Sequence, residues 1–157
     1  MTEGQIPINA EDLPIDTVPM DESSVYTGEL TKATLSPKLD KRDDMFCAVQ
    51  VAVMEGDFEG RTVMLNWLLL PIPLSPDMNK RERVQAIDKS TSFGRFAKSF
   101  GIKGKIPSVD IRNSESVSEW QDWISQFYGN QGKFTVRNQE FPEGSGRMRS
   151  GINDFVF

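Results

Sequence analysis

The sequence of 157 residues contains no histidine. That removes Ser/His/Asp and Cys/His nucleophilic sites, and every metal site built on imidazole. It contains one cysteine, Cys47, so no disulfide can form within the chain. Set inside an apolar run, this thiol reads as a buried group in a reducing cytoplasm. Long hydrophobic runs are also missing. The longest, WLLLPIPL at 67–74, is far short of the roughly 20 residues that span a bilayer. No basic stretch followed by an apolar one opens the chain, so no secretion leader is expected. There is no Walker-type phosphate loop and no Gly-rich dinucleotide turn. An enzyme would have to work with carboxylates alone. The one tight acidic group, Asp40, Asp43 and Asp44 in DKRDDM, is interleaved with lysine and arginine, as in a solvated loop. The expectation is a protein that is not an enzyme and holds neither cofactor nor metal, with no membrane association and a cytoplasmic location.

What is present is a globular composition, 38% hydrophobic and 10% aromatic, enough for one domain with a core that needs no staples. The net charge of −5 argues at first against a polyanionic partner, but its distribution does not. Residues 1–22 hold six acids (Glu3, Glu11, Asp12, Asp16, Asp21, Glu22) and no base. The remaining residues hold seventeen acids against eighteen bases. Within them, 80–105 carries eight bases and two acids. The chain therefore reads as a flexible acidic arm, 1–22, on a body, 23–157, with a local basic surface. A solvated helix face beside a leader would give the same pattern.

Strand signals come in the order SVYTGELTKATLSP, MFCAVQVAVM and RTVMLNWLLL, the last two joined by EGDFEG as a hairpin. Pro71 and Pro73 stop the third, since neither can donate to a ladder. Residues 76–131 are helical in pattern. Phe93, Phe96, Ala97 and Phe100 share one face, and Gly101 is a stop. A second stripe, Trp120, Trp123, Ile124 and Phe127, follows a capping-box spacing at Ser116 and Glu119, with Gly129 as its end. Two further strands, GKFTVRNQEF and RMRSGINDFVF, close the chain around PEGSG. Three strands, a helical segment, then two strands is the order of an OB-fold, a five-stranded Greek-key barrel with a helical insertion between strands three and four.

The segments TGELTKATLS, VQVAVMEGDFEGRTVMLNWLL, FAKSFGI and GKFTVRNQEF…INDFVF resemble small phage-encoded proteins of the single-stranded DNA-binding kind. The match rests on Gly56, Phe58, Gly60 and Arg61 in the turn, Phe100, Gly101 and Ile102 at the helix end, and Gly132 and Lys133 at the start of strand four. The acidic tail familiar in single-strand binders is C-terminal, whereas the acidic arm here is N-terminal. The resemblance implies a sequence-tolerant binder of single-stranded DNA that supports phage replication or recombination in the host cytoplasm.

Such a binder needs cations for phosphates and aromatic faces for bases. By alternation, Lys133, Thr135, Arg137, Gln139 and Phe141 share one face of strand four, with Phe134 and Val136 on the core side. On strand five Arg147, Arg149, Gly151, Asn153 and Phe155 share a face, opposite Met148, Ser150, Ile152 and Val156. Lys133, Arg137, Arg147 and Arg149 are the phosphate candidates. Phe141 at the hairpin tip is either a stacking ring or a hairpin plug. Arg61 and Phe58, at the turn, are expected to be exposed contributors, and Lys98, Lys103 and Lys105 to extend the track. Trp67 is expected to point inward, with Asn66 outward. The acidic arm would compete for the basic groove or recruit replication or recombination proteins, and an oligomer is left open. A non-catalytic β-barrel adaptor, a virion component or an inhibitor of a host enzyme is the alternative.

Overall fold

A computed structural model of the chain describes residues 7, 9–12, 18–36, 45–140 and 143–157. Within them, strands form where β-branched and aromatic residues alternate with polar ones. These are β1 (Tyr26–Leu35), β2 (Phe46–Val53), β3 (Thr62–Leu69), β4 (Gln131–Glu140) and β5 (Met148–Val156). All pairings are antiparallel, in the order β3-β2-β1-β4-β5. Among the described residues the fold is thus mainly β, a single five-stranded sheet with two α-helices and a short 3-10 turn at Ala10–Asp12. It is not a closed barrel: among the described residues no ladder joins β3 to β5. The two edges still approach, since a Cβ on Gly151 of β5 would lie 3.3 Å from the Met64 carbonyl oxygen of β3. Each of these strands carries a bulge, which interrupts regular pairing and bends the strand away from a partner.

Helix α1 (Lys80–Phe100) and helix α2 (Ser114–Ser125) lie between β3 and β4 in the chain. They occupy less of 76–131 than the sequence pattern suggests. Residues 101–113 separate them, and Gln131 already belongs to β4. The Asn79 side chain accepts the Glu82 N–H at 2.9 Å to start α1. Gly101, at φ 68°, ends it in the left-handed region where glycine is favoured. The α2 cap is not Ser116, as the spacing suggested, but Asn113, whose side chain accepts from the Glu115 and Ser116 N–H groups. The Ser116 hydroxyl instead donates to the Ser108 carbonyl and accepts from the Asp110 N–H. Among residues able to cap, the one that wins has an extended backbone just ahead of the first turn.

The aromatic stripes are core. Phe93, Phe96, Phe100, Trp120 and Ile124 pack on Leu30, Val49, Val51, Val63, Phe134, Val136, Ile152 and Phe155. Two glycines allow close packing, Gly132 between sheet and helix and Gly28 within the sheet. A Cβ on Gly132 would meet the Phe100 ring at 2.6 Å, and one on Gly28 would meet Val51 at 2.3 Å. The half of β1 beyond β4 is finished by side chains of the helical region. The Leu35 N–H donates to Gln121 Oε1, the Ala33 N–H to the Tyr128 hydroxyl, and Gln121 Nε2 donates back to the Ala33 carbonyl.

α1 covers the sheet end where β4 begins and β5 finishes: the Ser99 hydroxyl bonds Lys133 and Arg95 bonds Asp154. The other end is covered by residues that the sequence assigns to the arm. Met20 is 2% exposed. Its N–H donates to Ser150 Oγ at 3.1 Å and its carbonyl accepts from Asn138 Nδ2 at 2.7 Å. Glu22 accepts the Asn138 N–H at 2.7 Å. Met20 and Glu22, which the sequence places in the arm, thus bond to β4 and β5, and Met20 joins the core. No helix among the described residues is long and apolar enough to cross a membrane.

Candidate nucleic-acid interface

The solvent face of β3 follows from its register with β2. Cys47 pairs with Leu68 and Val49 with Leu65, so Asn66 and Trp67 stand opposite Ala48 alone. This bulge turns both side chains outward. Trp67 is 67% exposed, against the inward direction expected from strict alternation. Its ring meets Phe46 edge-on at a centroid distance of 5.8 Å. In β5, Ile152 pairs with Val136 and Asp154 with Thr135, leaving Asn153 as the extra residue. The phase change that follows carries Phe155 into the core at 2% exposure, opposite to the face assigned by alternation.

Between the β3 edge and the β4–β5 hairpin runs a groove of about 740 Å3. Met64, Asn66 and Trp67 border one side, and Arg137, Gln139, Arg149 and Asn153 the other. Arg137 pairs with Gly151 and Gln139 with Arg149, which puts the two arginines on one face of the hairpin, as alternation predicts. Glu140 also borders the groove, and its carboxylate accepts the Gly146 N–H at 2.6 Å, so part of its charge is directed at the turn. One cross-sheet row links this groove to a cation absent from the sequence reading. Lys32 pairs with Gln50, Gln50 with Met64, and beyond the gap Gly151 pairs with Arg137. Lys32 is exposed because Thr31 is the extra residue of a third bulge.

The other expected contributors do not gather at this groove. Arg147 is exposed just before β5, and Phe141 lies outside the described residues, as do Asp40, Asp43 and Asp44. Phe58 is half-buried, edge-on to Tyr26 at 6.2 Å, and packs against the core. Arg61 lies over the Phe58 ring at 4.6 Å and donates to the Val18 carbonyl. Both are engaged in holding the β2–β3 turn and the N-terminal segment. At the α1 end the Lys133 backbone is held by the Ser99 hydroxyl, and Lys98 Nζ lies 4.8 Å from the Phe157 ring centroid. Lys103 and Lys105 are exposed in the loop after α1. Arg95 is committed elsewhere: it holds Asp154 at 2.9 and 3.0 Å and the Phe155 carbonyl at 2.9 Å. Those hydrogen bonds keep the Asp154 carboxyl below its ordinary range. The Asp21 carboxyl is likewise lowered, by the Ser23 hydroxyl and N–H and by Ser24. Burial pushes the Cys47 thiol up to about 12, so it is no nucleophile. Among the described residues no group of three His, Cys, Asp or Glu could hold a metal ion.

A groove with an exposed indole on one wall and guanidinium groups on the other can hold a base and its phosphates together. The missed signals are Trp67 and Lys32. Both sit at bulges, which a two-residue alternation cannot register. No protein-family model matches the chain, and no curated protein matches it.

Proposed function

We propose that this protein binds single-stranded DNA in the groove between β3 and the β4–β5 hairpin. The observation that carries the reading is the exposed Trp67 lying across the groove from Arg137 and Arg149. An indole in that position has no folding task that explains its 67% exposure, whereas a base stacked on it would be covered. The strand order supports the reading, since an OB-fold with its last ladder open would have it, and OB-folds bind oligonucleotides on this part of the sheet. The binding is non-catalytic and serves phage DNA replication or recombination, where single strands are exposed. The acidic residues ahead of Val18 would meet basic partner proteins in the same process.

The test is titration with oligo-dT while tryptophan fluorescence is followed at several salt concentrations. Quenching is expected, with log affinity falling linearly in log salt at about −0.7 per phosphate contact. No binding at low salt would overturn the reading. A protein adaptor would then be left, supported by the exposed aliphatic side chains of Leu74, Val84 and Ile87 beside the basic start of α1.

A further inference from the structure

Both strands bordering the groove carry a bulge, and each bulge delivers an asparagine to it. Asn66 leaves β3 beside Trp67, and Asn153 is the unmatched residue of β5. Bulges cluster at functional sites because they re-aim a side chain. Elsewhere in the protein, asparagines are tied down. Asn79 and Asn113 cap helices, Asn130 donates to the Phe100 carbonyl at 2.9 Å, and Asn138 holds Met20. The carboxamides of Asn66 and Asn153 make no hydrogen bond among the described residues. Gln139, on the hairpin wall, is a third such group.

A groove that only follows phosphates needs cations, not carboxamides. A carboxamide presents one acceptor and a donor pair in a plane. That pattern complements a base edge carrying a donor beside an acceptor. Adenine offers it on two edges, the N6 amino group beside N7 and beside N1, and asparagine to adenine N6/N7 is a recurrent bidentate pairing. The indole of Trp67 supplies the plane against which such a base would lie, and a purine covers more of it than a pyrimidine.

We propose that the groove reads base identity: a base stacked on Trp67 is hydrogen-bonded along its edge by Asn66 and Asn153, and adenine is preferred. This rests on the single-strand reading and replaces sequence tolerance with selectivity at one position.

The experiment compares end-labelled oligo-dA, oligo-dT and oligo-dC of equal length by fluorescence anisotropy at one salt concentration. Oligo-dA is expected to bind about tenfold more tightly than the other two. The double variant Asn66→Ala, Asn153→Ala is expected to lose that difference, binding oligo-dA no more tightly than oligo-dT or oligo-dC. Asn66→Ser with Asn153→Ser gives the same comparison if the alanine pair melts early. Equal affinity for the three oligonucleotides would overturn this inference and leave single-strand binding standing. So would a preference that survives in the double variant, or one for cytosine or thymine. Failure to bind any of them would overturn single-strand binding itself.

Discussion

Trp67→Ala separates a binding role from a folding role. If a base stacks on the indole, its removal costs about 1–3 kcal/mol of affinity, which is roughly a 5- to 150-fold rise in Kd. The cost to folding has a low ceiling. Trp67 is 67% exposed, so about a third of a side chain that can bury at most ~250 Å2 is shielded. At ~25 cal/mol per Å2 that is about 2 kcal/mol. Trp120, 1% exposed in the core, would cost about 3–5 kcal/mol on the same change. The assay is anisotropy of a labelled oligonucleotide across a salt series, beside a urea melt. The log–log salt slope should not move, because no phosphate contact is lost. Trp67→Phe keeps a ring and should recover most of the affinity. In the wild-type protein fluorescence quenching should report this residue, since Trp120 is buried and Trp123 half-buried. Unchanged affinity in a folded Trp67→Ala protein would refute the reasoning and leave the exposed indole unexplained.

Replacing Arg137 and Arg149 together with alanine should flatten the salt slope by about 1.4, two phosphate contacts' worth, while the melt stays near wild type. Gly132→Ala should lower stability by about 1–3 kcal/mol in denaturant, because the new methyl meets the buried Phe100 ring at 2.6 Å; a wild-type midpoint would contradict that contact. Met20→Ala should cost about 2–5 kcal/mol, and a chain starting at residue 18 should fold where one starting at residue 23 is destabilised. Cys47 should resist thiol reagents near neutral pH until the protein is unfolded. Its folded value, about 12, lies above the ordinary 9.0, so its contribution to stability should be lost as pH rises through that window, where the unfolded chain ionises and the native one does not.

The helices and the buried stripes were legible because Phe93, Phe96, Phe100, Trp120 and Ile124 repeat at helical spacing and have nowhere else to go. The order of strands and helices along the chain was legible too, since each strand is a run of β-formers bounded by turn residues. Closure was not. Whether β3 and β5 zip together depends on backbone geometry at 66–67 and 153–154, and no residue type at those positions announces a bulge. The docking of Met20 was equally hidden. An isolated methionine in an acidic, proline-containing stretch looks like part of an arm until the sheet it plugs is known.

The same bulges explain why the site was only half foreseen. Arg137 and Arg149 lie on stretches of the hairpin that pair in register, so alternation places them correctly. Trp67, Lys32 and Phe155 each lie at or beyond a bulge, and there alternation gives the wrong face or none. A one-residue slip of phase reverses every later side chain in a strand. The slip at Asn153 is what brings Phe155 to the interior. The slip at 66–67 likewise resets β3, so that Trp67 faces out opposite Ala48 and Leu68 faces in opposite Cys47. Removing the extra residue therefore makes a distinct prediction. Deleting Asn66 should restore regular pairing of β3, with Trp67 alone opposite Ala48 and still on the solvent face between Leu65 and Leu68. Tryptophan emission and oligonucleotide quenching should stay near wild type, while the preference for adenine is lost. A blue shift of emission in a folded deletion variant would show instead that the bulge is needed to present Trp67 to solvent.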